Sequence, residues 1–455
     1  MRSSTSDPYP PISDYALISD CHCIALVGRS GSIDWCCMPR MDADSCFGRL
    51  LDWGQGGYCR IAPDTDDYQV ERRYLDDTLV LRTQFETETG SFAVTDFFQM
   101  NHEPEIYRRY CVMRIVEAIR GRSRVCVDIV PRFDYGSIIP QVAEWSKGVY
   151  TAIGSNNGLL IQADFPLQVE QARALRATHA LAEGERISLA IRFEAPEALS
   201  ALAERVDGQD YDAIGSLRTT ERWWHDWIDR TPAPYRDDRQ VLRSLLVVKG
   251  LTFERTGAVV AAATTSLPES TGGDRNWDYR YSWIRDSVFA IRALYPLGFS
   301  READRFRAFI QRSAAGSAEQ LQIMYGVDGD RRLTEIELDW LEGYRGSVPV
   351  RIGNRAYRQT QLDSYGELLE LAWISHGGER DIAPNYWDFI CDLADTVCRR
   401  WPEPDHGIWE FRTGAYHFVH SKASCWVALD RAIRLAEHRE DYSVPRHWYE
   451  QAGAI

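Results

Sequence analysis

The sixteen residues 271–286 read TGGDRNWDYRYSWIRD, and an apolar run with Val288, Ile291 and Leu294 at helical spacing follows them. The stretch holds two tryptophans, two tyrosines, three arginines and three aspartates. Aromatic rings pack against the C–H face of a sugar, while arginine forks and carboxylates bind its hydroxyl groups. The composition therefore favours a site for a neutral polyhydroxylated ligand at the start of a helix. The alternative is a buried ion-pair network that steadies the same helix start.

Length and charge limit the classes of function open to this chain. Its 455 residues are too many for one compact core, so we expect two domains. The formal net charge of −15, without a basic cluster, argues against nucleic acid and anionic membranes as partners. The first eleven residues lack the apolar segment of a secretory signal, and no later run has the length of a membrane span. We therefore expect a cytoplasmic protein.

The cysteines and histidines do not form a recognisable metal motif. Eleven cysteines are present, and none of the close pairs has C-x-x-C spacing with a matching second pair. We therefore expect reduced, partly buried thiols. His417 and His420 lie three residues apart without an evident third ligand, so we interpret them as polar helix residues and expect no metal.

The first part of the chain has the pattern of β-strands. Apolar and polar residues alternate from residue 79 to 86, a turn follows at 88–91, and residues 92–97 return as the second strand of a hairpin. Similar segments occur at 110–119, 125–130, 159–164 and 187–193. Short strands at regular spacing predict a large antiparallel sandwich, which we assign to residues 1–210.

The pattern then becomes helical. Residues 211–234 are predicted to form a helical linker that ends at a proline-rich break, with Trp223, Trp224 and Trp227 packing its core. From 235 to 455, helices are predicted around 241–251, 288–294, 303–310, 362–374, 386–401 and 421–436, and another begins near 444. Between them, the polar connection 324–358 contains five glycines. A connection this long inside a helical domain usually carries function.

Several motifs in a fixed order reveal a family resemblance. Residues 272–287 (GGDRNWDYRYSWIRDS), 343–354 (GYRGSVPVRIGN), 359–366 (QTQLDSYG) and 407–412 (GIWEFR) together resemble glycoside hydrolase family 15. Residues 12–20 (ISDYALISD), 31–35 (GSIDW) and 131–136 (PRFDYG) resemble its bacterial trehalase-like branch. Fungal glucoamylases carry a second acidic residue after the general acid, where this chain has Phe411. This difference also favours the trehalase-like branch.

The resemblance implies a fold and a reaction. The expected fold is an N-terminal antiparallel β-supersandwich followed by an (α/α)6 toroid with the active site at its centre. The order of strands first and helices later agrees with it. The implied reaction is exo-acting hydrolysis of α-glucosidic bonds, in trehalose or short α-glucans, with inversion. The expected partner is a small-molecule sugar, and no cofactor is needed.

By the same resemblance, Glu410 is the general acid. An inverting glycosidase needs this acid and a second carboxylate about 6.5–9.5 Å away, which activates water. The indole of Trp409 beside the carboxyl would lower the local polarity and raise the pKa of Glu410. The alternative is that Glu410 lies in an ordinary polar loop ahead of a helix.

The resemblance also places substrate-binding residues. Tyr279 would support the sugar ring, Arg285 and Asp286 would hold its outer hydroxyls, and Trp409 would close the wall of the pocket. The alternative for Arg285 and Asp286 is a structural ion pair. Three further pocket candidates could equally cap a helix or brace the long connection; these are Arg351, Gln361 and Asp363.

The helix count leads to a further expectation. A toroid of this kind needs twelve helices, and six or seven are evident after Pro234. The glutamates after Glu410 do not resemble the family's general base, so we expect the toroid to be incomplete and the chain alone to be inactive. Its exposed apolar face would then favour aggregation, self-association or another partner. Two alternative functions are a non-catalytic carbohydrate-binding fragment and a disaccharide phosphorylase.

Overall fold

The computed structural model describes residues 8–100, 110–207, 212–314, 317–376 and 382–455. The chain divides into two compact units. The first, here called the β unit, runs to Leu251 and adds Ala263–Trp277 and Glu337–Arg351. The second, the helical unit, comprises Thr252–Ala262, Asp278–Ile336 and Ile352–Ile455. An antiparallel sheet domain followed by a helical domain is therefore present, as predicted.

Fifteen strands of the β unit join into one hydrogen-bonded network, and every pair in it is antiparallel. The strands are β1 Tyr15–Ser19, β2 Ile24–Gly28, β3 Ser32–Cys37, β4 Ser45–Phe47, β5 Tyr58–Pro63, β6 Gln69–Tyr74, β7 Leu81–Thr87, β8 Gly90–Phe98, β9 Cys111–Val130, β10 Gln141–Ser146, β11 Val149–Gly154, β12 Asn157–Ala163, β13 Gln168–Glu170, β14 Ala174–Ala182 and β15 Arg186–Glu194. The hairpin predicted at 79–97 corresponds to β7 and β8.

The long strand β9 connects two sets of strands. Its first half pairs with β8 and β15, and its second half pairs with β5 and β14. The sequence predicts two separate segments here, at 110–119 and 125–130. In the structure, residues 119–122 are exposed and Gly121 has a φ of +68°. The structure joins both segments into one 20-residue strand.

The core of the β unit lies between the two sets of strands. A single buried cluster includes Val27 of β2 and Ile61 of β5 from one set, and Phe85 of β7 and Ile161 of β12 from the other. Side chains from facing sheets that fill one core are the signature of a sandwich. The predicted sandwich packing is therefore present in the β unit.

Three helices complete the β unit: α1 Pro196–Val206, α2 Ala213–Ile228 and α3 Arg239–Gly250. Trp224 and Trp227 of α2 are buried, and the Lys249 ammonium lies 5.8 Å from the ring of Trp223 and 5.7 Å from that of Trp227. The tryptophans thus pack into the core, as expected. Residue 211 lies outside the described residues, and the division at 210 and 234 stays a prediction.

The helical unit contains α4 Ile284–Leu294, α5 Ser300–Ser313, α6 Asp363–His376, α7 Pro384–Arg400, α8 Val419–Glu437 and α9 Arg446–Ala454. Four two-residue strands have the bounds β16 Ser282–Trp283, β17 Met324–Tyr325, β18 Ile336–Glu337 and β19 Arg351–Ile352. Each helix predicted after residue 234 is present, and the bounds differ by a few residues.

Helix α6 is the central helix of this unit. It packs against both α4 and α8, and its buried residues lie on almost every side. At Gly366 the backbones of α6 and α8 approach closely, because a Cβ there would lie 2.5 Å from the Ser424 carbonyl oxygen. On α8, Leu429 is buried, whereas Trp426, predicted at the same helical spacing, is 45% exposed.

Two further observations concern surfaces and thiols. Among the described residues, none of the helices combines the length and the apolar character that crossing a bilayer requires. The eleven cysteines all lie among the described residues, where none of them forms a disulfide, and most of them are buried. Phe289 on α4 and Val419 on α8 are exposed, but association through this face stays a prediction.

Candidate active site

The loop that carries Glu410 is anchored at its base. Asp405 and Tyr416 exchange two backbone hydrogen bonds, of 2.8 and 2.7 Å, which close the loop. The Asp405 carboxylate accepts hydrogen bonds from the Leu362 amide at 2.9 Å and the Ser421 hydroxyl at 2.8 Å. These bonds tie the loop to the starts of α6 and α8. Glu410 itself adopts a left-handed backbone conformation, with φ of +54°.

The Glu410 carboxyl is held by an indole and lies near a guanidinium. Trp283 Nε1 donates a 2.7 Å hydrogen bond to Oε1, and Arg285 Nη2 lies 3.7 Å from the same oxygen. The side chain of Glu410 is only 22% exposed. This burial raises the pKa of Glu410, although the hydrogen bond from Trp283 and the charge of Arg285 oppose the shift. The environment therefore favours a carboxyl that keeps its proton to a higher pH than an ordinary glutamate.

Arg285, in the first turn of α4, is fixed by the start of α6. Its Nη1 donates to Gln361 Oε1 at 2.9 Å and to Asp363 Oδ2 at 3.0 Å. Burial opposes its charge, but the nearby carboxylates, Asp363 first among them, together raise the pKa of Arg285. The Gln361 side chain also acts to lower the pKa of Glu410. Four of the predicted residues, Arg285, Gln361, Asp363 and Glu410, are therefore brought together.

Two aromatic residues of the stretch 271–286, Tyr279 and Trp283, lie beside Glu410 or next to a neighbour of it. The ring of Tyr279 lies 5.7 Å from the ring of Trp283, tilted by 49°. Both rings belong to an apolar cluster with Ile323 and Met324. Trp283 therefore connects Tyr279 to Glu410. Sequence reasoning missed Trp283 as a site residue, although it stands two positions before Arg285 in the quoted stretch.

The two tryptophans near Glu410 differ from the expectation. Trp409 was predicted to lower the polarity around Glu410, but its side chain is 77% exposed. A solvated indole cannot exclude water from its neighbour, so this prediction is corrected: the indole of Trp283 contacts the carboxyl. The role of Trp409 in closing a pocket stays a prediction.

The stretch 271–286 was predicted to form either a sugar site or a buried ion-pair network, and each interpretation describes part of it. Asp278 and Arg280 form a fully buried pair, with a 2.7 Å contact, and Asp278 also accepts a hydrogen bond from the Gly353 amide. Arg285 pairs with Asp363 and not with its neighbour Asp286, which is exposed. The structural ion pair therefore lies at 278 and 280, while Arg285 lies beside the candidate acid.

Arg351 belongs to the β unit. Its guanidinium pairs with Glu337 at 2.9 Å, donates to the Asp274 carbonyl at 2.7 Å and lies 4.5 Å from the ring of Trp277. These contacts brace the connection, which was the alternative interpretation for this residue. A direct role in a sugar pocket stays a prediction for Arg351.

Comparison with known proteins identifies the family of both parts of the chain. The model of the glycosyl hydrolases family 15 matches residues 236–455, and that of the trehalase-like N-terminal domain matches residues 5–197. The chain is 38% identical to a trehalase of Mycolicibacterium smegmatis, over 97% of this chain and 68% of that protein. It is 37% identical to a trehalase of Mycobacterium tuberculosis, over 100% of this chain and 69% of that protein.

A solved structure extends the comparison to the fold. A bacterial glucoamylase complexed with acarbose superposes with a TM-score of 0.68 at 12% identity, over 96% of this chain and 66% of that one. The chain thus spans about two thirds of the length of these relatives. The two matched domains and the trehalase relatives together show that this chain is a glycoside hydrolase and belongs to glycosyl hydrolase family 15.

Proposed function

We propose that the chain is an inverting α-glucosidase that hydrolyses trehalose, with Glu410 as the general acid. The observation that carries this proposal is the environment of Glu410, a largely buried carboxyl with a raised pKa, held by Trp283 beside Arg285. The trehalases among its relatives support trehalose over longer glucans as the substrate. Short α-glucans remain the second substrate class to test.

The arrangement around Glu410 suits proton delivery to a glycosidic oxygen. A neutral carboxyl is required before the bond breaks, and burial favours this form. After transfer, the new carboxylate accepts the hydrogen bond from Trp283 and lies 3.7 Å from the Arg285 guanidinium. Both contacts stabilise the charge that develops on Glu410 as the proton leaves.

Sugar recognition in this proposal uses the other residues of the cluster. The Arg285 guanidinium, held by Asp363 and Gln361, donates to the hydroxyls of the first glucose unit. The exposed carboxylate of Asp286 accepts from them, and the rings of Tyr279 and Trp283 provide an apolar surface. A site built to pair with hydroxyls discriminates strongly against ligands that lack them.

The general base is not assigned. An inverting reaction needs a second carboxylate about 6.5–9.5 Å from the acid. After Glu410, Glu437 accepts from the Tyr449 hydroxyl and Glu450 pairs with Arg446, both in exposed positions. Such surface contacts do not suit a base. The incomplete toroid and the inactivity of the chain alone stay predictions.

Product analysis tests the proposed function. The purified chain is incubated with trehalose, maltose and isomaltose, with and without phosphate, and products are followed by proton NMR. Any hydrolysis should release glucose, with trehalose as the preferred substrate. Inversion at the cleaved carbon gives β-glucose, whereas the leaving glucose keeps its α configuration, so trehalose should first yield the two anomers in equal amounts. Formation of glucose 1-phosphate only when phosphate is present would identify a phosphorylase instead. Trehalose binding without any product over long incubation would identify a non-catalytic binding protein.

A further inference from the structure

Helix α6 carries three acidic residues on one face, spaced by about one turn: Asp363, Glu367 and Glu370. The first and the last have cationic partners. Asp363 binds Arg285 at 3.0 Å, and Glu370 binds Arg431 at 2.6 Å. The middle residue, Glu367, therefore lies between two carboxylates that are already paired.

Glu367 has a different environment from its neighbours. Within the described part of the chain, no ion pair or hydrogen bond reaches its carboxyl, and its Oε2 is buried without a partner. The inner oxygen of Asp363, Oδ1, is also buried without a partner. An unpaired carboxylate is costly to bury, whereas a neutral carboxyl is much less so.

A cavity of about 260 Å³ adjoins Glu367 between α4, α6 and α8. Its lining is mostly polar and consists of Arg292, Gly366, Glu367, Glu370, Ser424, Val427 and Arg431. This space allows side chains on α4 and α6 to rearrange when the charge of Glu367 changes. The site of Arg285 lies one helical turn away, at Asp363.

The charged groups around Glu367 come from all three helices. Asp363 and Glu370 on α6 raise its pKa, whereas Arg285 and Arg292 on α4 lower it, and Arg431 of α8 borders the same cavity. Because these arginines are already paired with Asp363 and Glu370, the neutral form of Glu367 is favoured. Burial first, and then the charge of Asp363, raise the pKa of Glu367 to about 7.

We propose that Glu367 is a positioning residue for the sugar site: its neutral form keeps Arg285 on Asp363, and its ionised form weakens sugar binding. When Glu367 loses its proton, a second negative charge appears one turn from Asp363. The repulsion between these two carboxylates decreases when Arg285 turns toward Glu367 or when Asp363 takes up a proton. Either change removes the contact that holds Arg285 beside Glu410. This inference rests on the proposed function.

Trehalose binding measured against pH tests the proposal. Isothermal titration is performed in a Glu410→Gln background, because the amide prevents turnover and removes the titration of Glu410 from the profile. If only the neutral form of Glu367 binds well, Kd rises about tenfold from about pH 6 to about pH 8. With Glu367→Gln added, Kd should change less than about twofold over this range. Glu440→Gln, an exposed control, should leave the tenfold rise intact.

Carboxyl carbon-13 NMR of the folded Glu410→Gln chain provides a second measurement that needs no variant at 367 to fold. One glutamate signal should titrate near neutral pH, and Asp363→Asn should lower its midpoint. An unchanged pH profile of Kd in the Glu367→Gln variant would overturn the positioning role. A Glu367 midpoint below about pH 5 would overturn it as well. Absence of trehalose binding at every pH in the Glu410→Gln background would instead overturn the sugar site itself.

Discussion

Trp283 Nε1 donates a 2.7 Å hydrogen bond to the Glu410 carboxyl, although 127 positions separate the two residues in sequence. The donor comes from the short strand that precedes α4, and the acceptor comes from the anchored loop before α8. A hydrogen bond to the ionised form lowers a carboxyl pKa, whereas burial raises it. The balance between these two effects sets the pH at which Glu410 can act as an acid.

Replacing Trp283 with phenylalanine should shift this balance. An aromatic ring remains but the hydrogen-bond donor is lost, so the pKa of Glu410 should rise further. Because hydrolysis requires the protonated acid, the alkaline limb of kcat/KM should move to higher pH. Trp409→Phe, at the 77% exposed indole, is the matched control and should leave that limb in place. An alkaline limb at the same pH in wild type and in Trp283→Phe would contradict the hydrogen bond from Trp283 to Glu410.

Asp363→Asn should separate stability from recognition. Asp363 is fully buried and holds the largely buried Arg285, so loss of its charge should lower the free energy of unfolding by about 3 kcal/mol. Asp286→Asn, at the exposed neighbour, should change stability by less than about 0.5 kcal/mol but weaken trehalose binding. Urea unfolding and isothermal titration measure the two quantities. A stable Asp363→Asn variant with unchanged affinity would disprove the role given to this pair.

The stability of the chain should depend on the charge of Glu367. Its pKa is raised to about 7 in the folded state, so folding favours the protonated form. This contribution is complete below the unfolded pKa of about 4.5 and is lost as pH rises through about 7. Glu367→Gln should therefore match wild type near pH 4 and be more stable by about 2 kcal/mol near pH 8, allowing for partial solvent screening. Thermal unfolding across this pH range measures the difference in stability between the variant and wild type. A difference that does not change with pH would refute the prediction.

The close approach of α6 and α8 predicts a large effect of one methyl group. Gly366→Ala would place a Cβ 2.5 Å from the Ser424 carbonyl oxygen, so the helices must separate. We expect a loss of about 2 kcal/mol in the free energy of unfolding. Gly453→Ala on α9 is the control, because its Cβ meets no atom within 4 Å and alanine favours a helix. Chemical unfolding should therefore show a lower free energy of unfolding than wild type for Gly366→Ala and a higher one for Gly453→Ala.

Much of the fold followed from periodicity, but the partners of the site did not. The spacing of apolar residues predicted α6 and α8, because a helix places apolar residues three or four positions apart and a short stretch of sequence shows this pattern. In contrast, the pairing of Arg285 with Asp363 spans 78 positions and depends on how α4 packs against α6. For the same reason the sequence predicts two segments where the structure has the single strand β9, because a local pattern does not reveal the strands that pair on either side.

The two indoles near Glu410 show the same limit. Trp409 is adjacent to Glu410 in sequence, so local reasoning chose it as the apolar neighbour. The structure leaves Trp409 77% exposed and buries Trp283 against the carboxyl. Adjacency along the chain says little about contact in a left-handed turn, where successive side chains diverge. The stretch 271–286 contains the tryptophan that contacts Glu410, but the contact depends on how the helical unit packs and is not visible in the sequence.

The most direct test of the acid role compares two substrates in the Glu410→Gln variant. Trehalose needs protonation of its leaving oxygen, whereas α-glucosyl fluoride releases a leaving group that needs little help from an acid. If Glu410 is the general acid, kcat/KM for trehalose should fall by about 10²–10⁴-fold and kcat/KM for the fluoride should fall less than about tenfold. A loss of equal size for both substrates, or no loss for trehalose, would contradict the assignment of Glu410 as the general acid.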